Sequence, residues 1–151
     1  MVRQSKFNVG KDKSNRTYGD IVFDSAMEMK YFSDVIVPGV ASGDIKSYER
    51  QKKYVLQPSY MRDGKKILPI EYKADFYVVY SDDREEVIDI KGCPDAVAIL
   101  KRKLFEYVFP GIKYVWISFS KIDGGWITYE DVKAARKKRR KQKEMLKEKK
   151  G

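Results

Sequence analysis

The sequence predicts a single α/β domain in which helices flank a central mixed β-sheet, in the order αβββαβ. Two observations lead to this prediction. The 151 residues are 42% hydrophobic and 13% aromatic, which is enough to build one core although 36% of them are charged. Strand patterns joined by short turns come first, and a helical segment then separates the third strand from a fourth, as in a crossover connection.

The first elements are predicted from capping residues and breakers. A short strand at 20–23 leads into a helix at about 25–36. Asp24 or Ser25 can cap the start of this helix, and Pro38-Gly39 is expected to end it.

Three strands follow, and we expect them to form antiparallel hairpins. Residues rich in β-branched and aromatic side chains occupy 44–61, 67–80 and 85–92. Asp63-Gly64 is a hairpin signal between the first two strands, and the polar residues 81–84 turn the second into the third.

The last third of the chain predicts a helix and a fourth strand. Pro94 near its start and Pro110 beyond its end bound a helix at about 95–108, and the strand covers 112–119. Residues 131–151 contain helix formers but few apolar residues, so we expect a frayed helix or a segment that is disordered until it meets a polyanion.

The net charge of +10 is concentrated at the two ends. Residues 1–20 hold five basic and two acidic side chains, residues 131–151 hold eleven and three, and the residues between them are close to neutral. We therefore divide the chain into a basic N-terminal arm (1–19), a globular domain (20–130) and a basic C-terminal tail (131–151). Basic tails commonly bind nucleic acid, whereas no apolar run approaches the ~20 residues of a membrane span.

The absence of histidine excludes several chemistries at once. Histidine general bases, Ser-His-Asp triads and His-ligated zinc sites are not possible with this composition. Any metal must be held by oxygen ligands, which favours Mg²⁺ or Mn²⁺. The single cysteine, Cys93, excludes an internal disulfide and is typical of a reducing, intracellular location.

The stretch "EEVIDIKG" places two charged residues in an otherwise apolar strand. If the preceding loop is 81–83, Asp75 lies opposite Asp89, and Lys73 lies opposite Lys91. Opposed carboxylates repel each other unless a cation lies between them. The alternative is a solvent-exposed face with diagonal ion pairs.

A third carboxylate, Glu28, shares a helix face with Tyr31 and Phe32, which should point to the core. The alternative is a capping box in which Ser25 and Glu28 satisfy the start of the helix.

In order along the chain, these residues form the pattern E…D…DxK. It resembles the PD-(D/E)xK signature of the restriction-endonuclease-like nucleases. More closely, it resembles a phage-encoded family of small nucleases related to archaeal-type Holliday junction resolving enzymes. The resemblance runs from about Tyr18 to Pro110, through "YGDIVFDSAMEMKYF", "LQPSY", "IEYKADFYVVY", "EEVIDIKG" and "LKRKLFEYVFP". Two departures are Ala74 in place of the proline, and Asp89 where glutamate is commoner.

The resemblance implies a restriction-endonuclease-like fold and a metal-dependent endonuclease that cuts branched DNA, such as four-way junctions, as a homodimer in the host cell. Asp75, Asp89 and the Ile90 carbonyl would hold Mg²⁺, with Mn²⁺ as a substitute. Glu28 would complete the site, and Lys91 would orient the attacking water or stabilise developing charge. The alternatives are a nickase or end-processing nuclease of the same fold, and an inactive nucleic-acid-binding module.

Further residues are candidates for DNA contacts. Gln57 matches a family position but could equally be an ordinary strand residue. Basic side chains on the second helix and in the tail could reach phosphates, although a solvated face is the alternative for the helix. These basic candidates are Lys101, Arg102, Arg136, Lys137, Lys138, Arg139 and Arg140.

Overall fold

The computed structural model describes residues 12–151, so most of the predicted arm (1–19) lies outside the described residues. The described chain divides into two compact units. The first contains the residues up to Tyr48 together with Val78–Arg84, and the second contains Glu49–Tyr77 and Glu85–Gly151. The predicted α/β class is confirmed, because a five-stranded sheet with parallel and antiparallel pairs occurs together with several helices.

After a single 3₁₀ turn (Ser14–Arg16), the first unit forms a small strand pair and continues into a long helical segment. Its elements are β1 (Thr17–Tyr18), β2 (Ile21–Val22), α1 (Ala26–Tyr31), a π-helical turn (Phe32–Ile36) and α2 (Val37–Ser42). β1 and β2 pair antiparallel. Ser25 caps α1, because its side chain accepts a hydrogen bond from the Glu28 N–H.

The prediction that Pro38-Gly39 ends the first helix is wrong. The π-helical turn precedes Pro38, which lies in the first turn of α2, where its missing N–H is tolerated. The helix ends instead at Gly43, whose φ of 84° is the left-handed conformation that glycine adopts without strain. A Cβ on Gly39 would lie 2.6 Å from the Ile45 side chain, so the glycine permits close packing there.

The three strands predicted at 44–61, 67–80 and 85–92 occur in this order but are shorter than predicted. The strand predicted at 44–61 is divided at Pro58, and the strand predicted at 67–80 is divided at Pro69. The resulting strands are β3 (Ile45–Gln57), β4 (Tyr60–Arg62), β5 (Lys65–Ile67), β6 (Ile70–Tyr80) and β7 (Glu85–Ile90). β4 and β5 form the predicted hairpin, with Asp63 and Gly64 both at positive φ, as a primed turn requires.

The predicted loop 81–83 between β6 and β7 is confirmed. The Tyr80 N–H donates to the Arg84 carbonyl at 2.9 Å, and the Asp83 N–H donates to the Tyr80 carbonyl at 3.0 Å. Asp83 has φ 65°, as expected for the bulged residue of a three-residue hairpin loop. Because the connection is so short, the neighbouring strands β6 and β7 are antiparallel.

A helix and a parallel strand complete the core of the sheet. α3 (Ala96–Val108) is capped by Asp95, whose side chain accepts from the Ala98 N–H. β8 (Lys113–Ser120) then pairs parallel with β7, so α3 is the predicted crossover. β8 also pairs antiparallel with an unpredicted strand, β9 (Gly125–Thr128), and the sheet order is β3-β6-β7-β8-β9.

The basic C-terminal segment is an ordered helix, contrary to the expectation of a frayed or disordered tail. α4 (Tyr129–Glu148) begins before the predicted tail boundary at residue 131. Thr128 caps it, and Val132 is only 1% exposed. Arg139 is paired with Asp123, which lowers the pKa of the Asp123 carboxyl, with a smaller contribution from a hydrogen bond to Ser120. The many basic residues of α4 therefore do not prevent this helix from packing against the rest of the second unit.

Within the second unit, the core is strongly aromatic. Tyr54 and Tyr72 pack against Phe105 of α3, and Tyr114 and Trp116 of β8 extend the cluster. Among the described residues, none of the helices is both long and apolar enough to cross a membrane.

Candidate active site

The two aspartates singled out in the sequence lie together in the second unit. The Asp75 N–H donates to Asp89 Oδ1 at 3.1 Å, and the Ile90 N–H donates to Asp75 Oδ2 at 2.9 Å. Each carboxylate therefore receives a backbone hydrogen bond from the other strand. This arrangement fixes two acidic side chains side by side where β7 ends.

Asp89 is buried, with 5% of its surface exposed, so the alternative of a solvent-exposed charged face is wrong for this residue. Its Oδ1 accepts from the Tyr72 hydroxyl at 2.8 Å, and its Oδ2 accepts from the Tyr114 hydroxyl at 2.7 Å. These donors and the Asp75 N–H are all neutral. The hydrogen bonds compensate for lost hydration, but they leave a negative charge in the interior.

The tyrosine partners of Asp89 are held by a second set of contacts. Trp116 Nε1 donates to the Tyr114 hydroxyl at 3.2 Å. The Arg102 guanidinium lies 4.5 Å from the centre of the Trp116 ring, within cation–π range. Arg102 is in turn bound by Glu106 and Glu130, at 2.8 Å and 2.6 Å. A continuous network thus links α3 and α4 to the buried carboxylate.

Ile90 and Lys91 follow Asp89 at the end of β7. The Lys91 N–H donates to the Ile117 carbonyl at 2.9 Å, and the Lys91 carbonyl accepts from the Ser118 hydroxyl. The Lys91 backbone is therefore fixed on the β8 side, and its side chain is half-buried. The Ile90 N–H faces Asp75, and the carbonyl of a strand residue points to the same edge as its N–H. We therefore expect the Ile90 carbonyl near Asp75.

Glu28 belongs to the first unit, in the first turn of α1, and is 3% exposed. One half of the alternative capping box is present, because the Glu28 N–H donates to Ser25 Oγ at 3.1 Å. Among residues 12–151, no group of three or more His, Cys, Asp or Glu side chains comes together as a metal-binding cluster. Within the second unit, the candidate site thus rests on the pair Asp75 and Asp89.

The candidate DNA contacts outside α4 differ in their surroundings. Gln57 is the last residue of β3 and is half-buried, as is Lys101 on α3. Arg102 is already engaged within the protein by two carboxylates and an aromatic ring. A phosphate would have to compete with these partners, so the structure weakens the DNA-binding hypothesis for Arg102.

The five candidates on α4 also fall into two groups. Arg139 is bound to Asp123, with Nη2 and Oδ2 3.2 Å apart. The others are exposed: Arg136, Lys137, Lys138 and Arg140. The exposed group remains accessible to a polyanion, whereas Arg139 attaches the helix to the residues that precede β9.

Tyr72 and Tyr114 were not predicted as functional residues. Tyr72 is far from Asp89 in sequence, and Tyr114 is farther still, so no local motif connects them. Burial raises the pKa of both hydroxyls well above the usual range, and the negative charge of Asp89 raises them further. The two hydroxyls therefore remain protonated donors at physiological pH.

These raised pKa values predict a loss of stability at alkaline pH. An unfolded tyrosine ionises near pH 10, but folded Tyr72 and Tyr114 hold their protons to higher pH. Above about pH 10 the unfolded state therefore binds fewer protons, and stability falls as pH rises. We expect the melting temperature of Tyr114→Phe to fall less steeply between pH 9 and 11 than that of the wild type. Tyr107→Phe, at a side chain 85% exposed, is the control; equal slopes for all three proteins would contradict the assignment.

Comparison with known proteins places the chain in a family without assigning it an activity. The comparison with curated proteins gives no match. Residues 4–124 match the family DUF1064, whose description is "Protein of unknown function". The matched range includes Glu28, Asp75, Asp89 and Lys91, and it ends before α4. The chain belongs to the DUF1064 family.

Proposed function

We propose that this protein is a Mg²⁺-dependent, structure-specific DNA endonuclease of restriction-endonuclease-like fold, which resolves four-way junctions by hydrolysing phosphodiester bonds. The observation that carries the proposal is the pair of carboxylates Asp75 and Asp89, joined through backbone hydrogen bonds at the end of β7. A buried carboxylate whose hydrogen-bond donors are all neutral is costly for a fold, and buried charges in proteins are usually paired or coordinate a metal.

The donor set is suited to a hard divalent cation. Both side chains offer oxygen atoms, which Mg²⁺ and Mn²⁺ prefer, and the Ile90 carbonyl is a further oxygen on the same side of β7. Mg²⁺ commonly binds through one or two protein carboxylates, with water and phosphate completing its coordination. When bound, the cation would lower the pKa of a coordinated water and polarise the phosphate.

The remaining residues of the pattern would act on water and substrate. Both the N–H and the carbonyl of Lys91 form hydrogen bonds with β8, so the backbone that carries its ammonium group is fixed. We propose that this group orients the attacking water or stabilises charge that develops on the phosphate. Glu28 belongs to the first unit, and its role as a further carboxylate ligand stays a prediction from the sequence pattern.

The charge distribution supports DNA as the partner. A net charge of +10 attracts a polyanion, and four exposed basic residues are fixed on the ordered helix α4. A four-way junction needs two matched cuts, whereas one chain carries one candidate site. A homodimer with twofold symmetry would supply both sites, and we include it in the proposal.

The test is a panel of DNA substrates incubated with Mg²⁺ or with excess chelator. The panel contains a four-way junction, a flap, a nicked duplex, an intact duplex and a single strand, with labels placed symmetrically on the junction. We expect paired, symmetric cuts in the junction, no cutting in chelator, and binding without cutting in Ca²⁺. Cleavage of another structure would favour the nickase or end-processing alternative. Binding without cleavage of any substrate would favour the inactive DNA-binding module.

A further inference from the structure

The surroundings of Asp89 leave it a defined coordination capacity. A carboxylate has about four lone-pair sites for hydrogen bonds or metal ligation. Oδ1 accepts two hydrogen bonds, from the Tyr72 hydroxyl and the Asp75 N–H, and Oδ2 accepts one, from the Tyr114 hydroxyl. Counting partners among residues 12–151, the one site that remains is therefore on Oδ2.

Each tyrosine is itself fixed by packing. The Tyr72 ring lies between Phe105 at 5.3 Å and Tyr114 at 5.1 Å, measured between ring centres. The Tyr114 hydroxyl also accepts from Trp116 Nε1 at 3.2 Å, so its proton is directed to Asp89. The two hydroxyls hold the carboxylate at both oxygens, which restricts rotation about its Cβ–Cγ bond.

We propose that Tyr72 and Tyr114 are positioning residues, which orient the Asp89 carboxylate so that one lone pair of Oδ2 is available to a divalent cation. This inference rests on the proposed function. Hydrogen-bond partners of metal ligands fix the orientation of the ligand, and their loss typically weakens metal binding by about 10–100-fold. The competing explanation is that the tyrosines only satisfy a buried charge, in which case they affect folding stability and not metal affinity.

The chain provides a matched control in Tyr54. Its ring stacks on Tyr72 at 6.2 Å, and Tyr54 is similarly buried, at 7% exposed. Its hydroxyl has no hydrogen-bond partner among the described residues. Tyr54→Phe therefore removes the same atom from the same cluster without removing a partner of Asp89, and it should leave stability unchanged or slightly higher.

The experiment is a Mn²⁺ titration of each purified protein, with free Mn²⁺ measured by electron spin resonance well below every melting temperature. We expect Tyr72→Phe and Tyr114→Phe each to bind Mn²⁺ about 10–100-fold more weakly than the wild type, and Tyr54→Phe to bind equally well. Trp116→Phe keeps both hydroxyls but removes the donor that orients Tyr114. We expect it to weaken binding by a few-fold, which provides a milder variant if a Tyr→Phe protein does not fold.

The outcomes separate this inference from the proposed function. If the wild type binds Mn²⁺ and the folded variants bind it with unchanged affinity, the tyrosines are only structural and the inference is wrong. If the wild type has no saturable Mn²⁺ site, the proposed cation site itself is wrong, and the inference with it. Lower melting temperatures without weaker Mn²⁺ binding would support the purely structural role.

Discussion

Asp75→Asn is expected to reduce Mg²⁺-dependent cleavage of a four-way junction by at least about a thousandfold, since a ligated cation contributes several kcal/mol to the transition state. Junction affinity should stay equal or rise, because the substitution removes one of two neighbouring negative charges that repel the phosphate. The fold should survive, because an asparagine side-chain oxygen can still accept the hydrogen bond from the Ile90 N–H.

Single-turnover cleavage and a binding titration in Ca²⁺ measure the two effects separately. Glu71→Gln is the matched control, since Glu71 is an exposed acidic residue of the same strand and its loss changes the net charge equally. It should cleave at close to the wild-type rate. An Asp75→Asn protein that cuts as fast as this control would remove Asp75 from the mechanism.

Changing Arg136, Lys137, Lys138 and Arg140 together to glutamine is expected to weaken junction binding by about 10²–10³-fold near 0.15 M salt. Each neutralised duplex phosphate contributes about 0.9 to the slope of log affinity against log salt concentration, so that slope should fall by about 3–4. Cleavage at low salt and saturating protein should remain within a few-fold of wild type, because none of the four belongs to the E…D…DxK set.

Arg139→Gln is the control for the helix itself. It removes one positive charge from α4, but this charge is bound to Asp123. We expect it to lower the melting temperature and to change the salt slope little. An unchanged salt slope in the fourfold variant, measured on a folded protein, would show that these four residues do not contact DNA.

Local sequence patterns predict the proximity of the two aspartates because strand periodicity and loop length are local properties. A three-residue loop at 81–83 determines which residues of β6 and β7 meet, and the structure brings Asp75 and Asp89 together. The turn at Asp63-Gly64 is predicted for the same reason, since its residues adopt positive φ.

The burial of Asp89 could not be predicted in this way. Its partner Tyr114 reaches it through the parallel pairing of β7 with β8, in which Asp89 is aligned with Trp116. That register depends on how α3 packs across the sheet, which is a tertiary property. The strand pattern alone therefore does not decide whether Asp89 lies in a buried site or on a solvent-exposed face.

The folding of the C-terminal segment into the helix α4 also depends on tertiary contacts. Its composition favours a solvated segment, but the burial of Val132 and the Arg139–Asp123 pair attach it to the rest of the second unit. The helical segment also continues through Pro38, because this residue falls in the first turn of α2, where its missing N–H is tolerated. Propensity is a weak guide where packing supplies the larger energy.

Crystals soaked in Mn²⁺ would test the central claim most directly, by anomalous difference density at the Asp75–Asp89 pair. We expect a peak within direct coordination distance of one oxygen from each carboxylate, with Asp89 contributing Oδ2, and the same map would show whether Glu28 is also a ligand. The peak should be lost in Asp75→Asn. A well-ordered wild-type map with no peak at these carboxylates under saturating Mn²⁺ would contradict the account.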